Sequence, residues 1–290
     1  PGRRPRIPRD IPFGTLRLHI SRKELSRFFL LAMQRYFMKH PSRGAPFHGW
    51  QRQPNAGSVQ QTIEEALSTL LRTDTPITGA GRTDTGVNAR CMIAHFDSDS
   101  PLCQSESIIR SLNTLVGPDI AIQSISPVHS EAHARFDATS RTYHYYAVSS
   151  KSPFFYPLSW KAPADLDYRL MNQAAEMLLE TEDFTSFAKL HTDTRTNICR
   201  VTEARWYATD ELPGAYLSSE PGAHVFVISA DRFLRNMVRA VVGTLVDVGR
   251  HKLTLDGFRN IILAKDRCSA GTSMPPQALF LWDVTYPYPF

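Results

Sequence analysis

The chain reads as an α+β protein built from two α/β halves, each with mainly antiparallel strands flanked by helices. Three observations predict this. Segments with apolar residues at helical spacing are mixed with short runs rich in β-branched and aromatic residues, without strict alternation. Several of those runs carry period-2 polarity, as strands of antiparallel sheets do. No low-complexity linker divides the chain, and each predicted helix has strand-like runs around it. With 290 residues, 42% apolar and 21% charged, one large core or two modest ones can be buried. The two halves are predicted to meet near residues 135 to 140, giving an N-terminal half over 33–137 and a C-terminal half over 138–290. Residues 1–32 precede both as an extension of unknown role.

The first residues, PGRRPRIPRD, are rich in arginine and proline. The apolar run from Phe28 to Ala32 is shorter than the centre of a secretory signal, and Asp10 and Glu24 do not suit a mitochondrial presequence. Met33 is read as a candidate translation start. The run SVQQTIEEALSTLLR puts Val59, Ile63, Leu67 and Leu70 on one stripe, and Ser58 with Gln61 forms a capping-box pattern that opens a helix. DLDYRLMNQAAEMLLE repeats the logic with Leu166, Leu170, Ala174 and Met177. DRFLRNMVRAVVGTLVDVG predicts a third helix, its apolar face at Leu234, Met237, Val238, Val241, Val242 and Leu245. Strands are predicted in ARCMIAHFDS, DIAIQSISPV, RTYHYYAVSS, HVFVISA and LFLWDVTY.

Charge and cysteine usage narrow the function classes. A net charge of +5 from 33 basic and 28 acidic residues is a mild excess, compatible with a polyanionic partner. Cys91, Cys103, Cys199 and Cys268 show no CxxC spacing, so neither a zinc site nor a disulfide framework is indicated, and a reducing compartment is expected. No apolar run approaches the roughly 20 residues that span a bilayer. His129 and His133 in HSEAH are a pair with no further ligand in register, which argues against a metal-dependent hydrolase.

The stretch GAGRTDTGVNAR, Gly79 to Arg90, shapes a loop around a single acid, Asp84. Its glycines permit positive φ and close approach. Taken alone, the loop fits a hairpin turn whose aspartate bonds to nearby N–H groups. It lacks the Lys-Ser/Thr ending of a phosphate-binding P-loop.

The company this loop keeps says more. FHGWQRQP (Phe47 to Pro54), GAGRTDTGV (Gly79 to Val87), HARFDATSRTYHYY (His133 to Tyr146), EDFTSFAK (Glu182 to Lys189) and FLRNMVRAVVG (Phe233 to Gly243) occur in this order. Together they resemble the TruA family of tRNA pseudouridine synthases, over about Tyr36 to Tyr286. GRTD followed by GV is the most specific of the five. The resemblance implies the pseudouridine synthase fold with a central RNA-binding cleft. It also implies a cofactor-free, metal-free isomerisation of uridine in the anticodon stem-loop of tRNA, at positions 38 to 40, by a cytoplasmic homodimer.

The same resemblance identifies Asp84 as the catalytic carboxylate, with Arg82, Tyr143 and Arg239 in support. Arg82 is expected to keep Asp84 ionised in a partly desolvated site, since an adjacent guanidinium favours the charged form, or else to take the place of the target base or hold its phosphate. Tyr143 offers a flat face for uracil and an oxygen able to relay a proton, and one of Tyr143 and Tyr145 is expected to be structural. Arg232, Arg235 and Arg239 are expected on one helical stripe beside the apolar face, with Arg239 nearest the acid. Arg52, Arg90, Arg135, Arg141 and Lys189 are candidates for contact with RNA. The chain departs from the family pattern at Arg43-Gly44, at Asn88 where histidine is usual, and in MPPQAL, Met274 to Leu279. Asn88 keeps hydrogen-bonding capacity but loses a titratable ring. A catalytically impaired RNA-binding protein of the same fold is the alternative reading, and an intact Asp84 argues against it.

Overall fold

A computed structural model describes residues 33–99, 101–102, 105–189, 196–218 and 220–290. The extension over 1–32 and Cys103 lie outside the described residues. The strands are β1 (Gln34–Ser42), β2 (Thr78–Gly79), β3 (Asn88–Ser98), β4 (Ser124–Val128), β5 (Ser140–Val148), β6 (Trp160–Lys161), β7 (Val201–Ala208), β8 (Ala223–Ala230) and β9 (Leu279–Thr285). The helices are α1 (Val59–Leu71), α2 (Ser105–Leu115), α3 (Tyr168–Glu176), α4 (Met237–Gly249) and α5 (Leu255–Ala264). All five predicted runs contain a strand, although DIAIQSISPV forms one only over Ser124–Val128. The strands β1 and β7 and the helices α2 and α5 were not singled out by their patterns.

One sheet contains every strand, in the order β4-β1-β3-β9-β5-β8-β7, with β2 paired to β3 and β6 to β5. Neighbours along the path are antiparallel except β3 and β9, which run parallel over Asn88↔Phe280 and Ala89↔Leu281. The last strand in sequence thus lies between β3 and β5, and a single sheet crosses residue 138, where the halves were expected to meet. Around the start of β3, backbone from residues distant in sequence converges on this junction.

Two cores flank it. Phe37, Met38, Ile63, Leu67, Ile93 and Phe96 pack with α1 and α2, and Leu281 and Val284 of β9 join them. Tyr145, Phe226, Ile228, Val241, Val242 and Leu245 form the other, around α4. Alternation along β5 sends Tyr143 and Tyr145 toward α4, while Tyr146 and Val148 face a smaller cluster with Val225, Val227 and Phe280. Each fully buried Val, Leu or Phe stabilises the fold by ~1.5–3 kcal/mol.

Helix starts follow the capping chemistry in part. The Ser58 side chain accepts from the Gln61 N–H at 3.2 Å, but the Gln61 side chain donates to Glu65 instead of returning to Ser58, so the box closes on one side only. In α3 the buried residues are Met171, Ala174 and Ala175, with Leu178 in the following 3-10 turn. Leu170 and Met177 lie at the edge of the core instead of at its centre. Asp167 caps α3 by accepting from the Leu170 N–H, which starts the helix later than the stripe implied. The third helix is also shorter than its pattern. Asn236 adopts φ 64°, in the left-handed region, so α4 begins at Met237 and residues 231–236 form a loop. Arg232 and Arg235 therefore do not share a helical stripe with Arg239.

Candidate active site

The Asp84 turn sits immediately before β3. The Thr83 carbonyl accepts from the Trp50 N–H at 3.2 Å, and the Asp84 carbonyl accepts from the Val87 N–H at 3.1 Å. Gly86 closes the turn at φ 78°, a conformation other residues adopt at a cost, with Pro276 packed against the position a Cβ would take. Asn88, buried at the head of β3, fastens this turn on two sides. Its Oδ1 accepts from the Gly44 N–H at 2.8 Å, and its Nδ2 donates to the Gln277 carbonyl at 2.7 Å. All three departures from the family pattern thus meet in one hydrogen-bonded cluster, where the acceptor and donor of the amide are both used.

The Asp84 side chain is 25% exposed and accepts no hydrogen bond among the described residues. Its oxygens lie 3.6 Å from Nε of Arg235 and 3.6 Å from Nη1 of Arg239. These are ion-pair distances beyond hydrogen-bonding range, so the carboxylate is held by charge while its lone pairs stay available. The two arginines straddle the first turn of α4, where the helix dipole also favours a negative group. Arg239 is the more sheltered, at 19% exposed against 61% for Arg235. It is oriented by the MPPQ segment: its Nε donates to the Met274 carbonyl at 2.6 Å, and the Met274 N–H donates to the Arg239 carbonyl at 3.1 Å. Gly243, one turn further along α4, has no side chain to collide with the Thr272 carbonyl, which allows this segment to lie against the helix.

Arg82, expected beside Asp84, is exposed and makes no ion pair or hydrogen bond among the described residues. The pairing predicted for it is made by Arg235 and Arg239 instead, because the left-handed turn at Asn236 folds Arg235 back toward the acid. Tyr143 is half-buried, its ring edge-on to Phe233 at 5.0 Å between centroids. Burial pushes its phenol up to about 12, with the Arg141 charge opposing and the Asp84 charge adding to the rise. The hydroxyl is therefore a proton donor or acceptor of hydrogen bonds at neutral pH and not a phenolate base. Tyr145 is the structural member of the pair, fully buried, with its hydroxyl donating to the Pro275 carbonyl at 3.2 Å.

The candidate RNA contacts divide sharply. Arg141 is committed to protein: Nη1 donates to the carbonyls of Ala138 (2.7 Å) and Asp231 (2.8 Å), and Nη2 to those of Ala80 (3.1 Å) and Arg135 (2.5 Å). It braces the Asp84 loop, the loop before β5 and the Arg235 loop together, and it has no fork left for a phosphate. Arg52 pairs with Glu64 at 3.2 Å. The Arg90 guanidinium stacks 4.5 Å from the Trp282 ring. Arg135 is exposed beside Phe136. Lys189 is exposed, and its N–H donates to the Arg235 carbonyl at 3.0 Å, steadying that loop. His133 accepts from the Arg135 and Phe136 N–H groups through Nδ1, while the His129 ring lies edge-on to Tyr288, 5.0 Å between centroids. No group of three or more His, Cys, Asp or Glu residues able to hold a metal occurs among the described residues.

Neither Arg235 nor Arg141 could be assigned its role from sequence. The signal for the first was Asn236, a residue that tolerates the left-handed region, and for the second an arginine on a strand that begins beside three loops.

The chain is similar in sequence to known proteins. Residues 174–287 match the family model described as tRNA pseudouridine synthase. A protein named tRNA pseudouridine synthase A from Parabacteroides distasonis is 55% identical over 255 residues, covering 88% of this chain and 97% of the relative. One of the same name from Bacteroides thetaiotaomicron is 51% identical, covering 88% of this chain and 91% of the relative. A more distant one from Protochlamydia amoebophila is 38% identical, with 84% and 93% covered.

Proposed function

The chain belongs to the tRNA pseudouridine synthase A family, and we propose that it isomerises uridine in the anticodon stem-loop of tRNA, at positions 38 to 40, through the Asp84 carboxylate. It is an isomerase: the bond from ribose C1′ to uracil N1 is broken, the base turns, and C1′ is rejoined to C5, with no atom gained or lost. The proton on C5 must leave and one must arrive at N1. The observation that carries the assignment to Asp84 is its carboxylate, bracketed by two guanidinium groups and not spent on hydrogen bonds.

The chemistry follows from that environment. A carboxylate that attacks the sugar or the base, or promotes elimination, must be anionic in a site that excludes much of the water. Arg239 and Arg235 supply fixed positive charge without covering the oxygens, and Met274 keeps Arg239 from swinging away. Tyr143 offers its ring to the uracil and a neutral hydroxyl to a proton in transit. Arg82, exposed on the turn, is suited to contact RNA, either in the space the extruded base vacates or on its phosphate. Extrusion costs a few kcal/mol of unstacking, which contacts to the RNA backbone must offset. Recognition rests on the shape of the folded tRNA, since A-form stems hide their major groove. A homodimer working in the cytoplasm completes the proposal, and no helix among the described residues is long and apolar enough to cross a membrane.

The test is a set of tRNA transcripts carrying uridine singly at position 38, 39 or 40, or only elsewhere, followed by pseudouridine mapping. Product confined to the first three supports the anticodon-arm reading. Product at a site outside that arm would replace it.

A further inference from the structure

Phe136 is 75% exposed, yet the loop that carries it is held by several hydrogen bonds. The Asp137 carboxylate accepts from the His133 N–H at 2.8 Å and from the Tyr288 hydroxyl at 2.6 Å. Nδ1 of His133 accepts from the N–H groups of Arg135 (3.1 Å) and Phe136 (3.3 Å), a role that requires an unprotonated nitrogen, and partial burial lowers the pKa of that ring. The Ala134 N–H donates to Nδ1 of buried His95 at 3.1 Å, and the Ala134 carbonyl accepts from the Tyr286 hydroxyl at 2.5 Å. The Phe136 ring lies against His133, 4.3 Å between centroids, and the Arg135 guanidinium is 5.8 Å from its centre. A large apolar ring left in water is unfavourable by itself, and a rigid mount does nothing to relieve it. The combination lowers the entropic cost of binding a flat partner.

The mount is also close to Asp84. One nitrogen of Arg141, Nη2, touches the carbonyls of both Arg135 and Ala80. From Ala80 to Asp84 is four residues, at most about 14 Å of chain. Successive stacked bases lie about 3.4 Å apart, so the platform falls within a few nucleotides of the reacting one.

We propose that Phe136, with Arg135 beside it, is a stacking platform for an unpaired RNA base neighbouring the target uridine. The proposal rests on the tRNA-substrate reading above. An aromatic face accepts any base, and the adjacent guanidinium matches the phosphate that accompanies it, so the site holds the strand open without reading its sequence.

The test compares native enzyme, Phe136→Ala, Phe136→Trp and Arg135→Ala for tRNA dissociation constant, its salt dependence, kcat and oligomeric state. Phe136→Ala is expected to weaken binding by on the order of 10-fold to 100-fold, the loss that removing one base-stacking aromatic causes, with the slope of log affinity against log salt unchanged. Phe136→Trp keeps affinity near native, since a larger aromatic face stacks on a base at least as well. Arg135→Ala reduces the salt slope by about one. Unaltered affinity in Phe136→Ala overturns the proposal, as does a Trp variant as weak as the Ala variant, or an Ala variant whose affinity falls only because the oligomer dissociates. Mapping of product from the native enzyme in the same reactions reports separately on the anticodon-arm reading, which can fail while the platform stands.

Discussion

Arg239 reaches Asp84 with Nη1 while its Nε is fixed to the Met274 carbonyl, so one guanidinium joins the acid to the segment that leads into β9. Removing the sheltered partner of a carboxylate costs more than removing an exposed one, which contributes ~1 kcal/mol or less. Arg239→Ala is therefore expected to lower kcat by about 100-fold or more. Arg235→Ala should lower it by about fivefold or less. Single-turnover rates at saturating enzyme check the ranking, and equal losses would contradict it. Arg239→Lys should recover little, since one ammonium cannot serve both Met274 and Asp84 in the geometry of a planar fork.

Arg141 is predicted to act on stability and not on phosphate contact. Truncation to Ala leaves carbonyls of Ala80, Arg135, Ala138 and Asp231 without their donor, at ~1–3 kcal/mol for each that water does not reach. Urea denaturation should show a loss of ~3 kcal/mol or more for Arg141→Ala. The salt slope of tRNA binding by the folded variant should stay at the native value. A slope reduced by one, with stability unchanged, would return Arg141 to the RNA contacts.

How much of this was legible in the sequence depends on the kind of interaction. Asp84 stood out because a single acid in a glycine-bounded turn is conspicuous, and β5 could be read from RTYHYYAV because alternation and aromatic content are local properties. The environment of Asp84 was not local. Arg235 comes to it only because Asn236 takes a positive φ, which converts an apparent helical stripe into a turn. Arg82, two residues away along the chain, points elsewhere, since neighbours on a tight turn do not share a direction. Strand β1 was missed because its tail, Lys39 to Ser42, mixes polar residues and a proline into the pattern, although His40 is fully buried.

That buried histidine gives a pH prediction. Burial pushes His40 down to about 4, below the ordinary value near 6.5. The unfolded chain then binds the extra proton between those two values, so the associated stability is fully present above pH 6.5 and is lost as pH falls toward 4. The loss attributable to His40 is ~3 kcal/mol. Replacing it with Phe, which keeps a ring against Trp50, should reduce the dependence of the urea midpoint on pH over that window and leave the part due to buried His95 and His144. An unchanged pH dependence in His40→Phe would show that the acid sensitivity arises elsewhere.

Tyr143 gives a second one, on rate. With its phenol raised to about 12, it stays protonated throughout the range in which tRNA is handled. Tyr143→Phe should leave the position of any alkaline limb in the pH–rate profile unmoved, whatever it does to the plateau. A limb between pH 8 and 10 that disappears in the variant would mean that Tyr143 ionises during turnover.

The most direct measurement pairs tRNA binding with pseudouridine formation for the native chain and Asp84→Asn. The amide keeps the size and shape of the side chain and removes the negative charge. The expected result is a variant that binds tRNA within a few-fold of native and forms no pseudouridine over many native turnover times. Product at the native rate would contradict the account, because the carboxylate between Arg235 and Arg239 would then have no part in breaking the glycosidic bond.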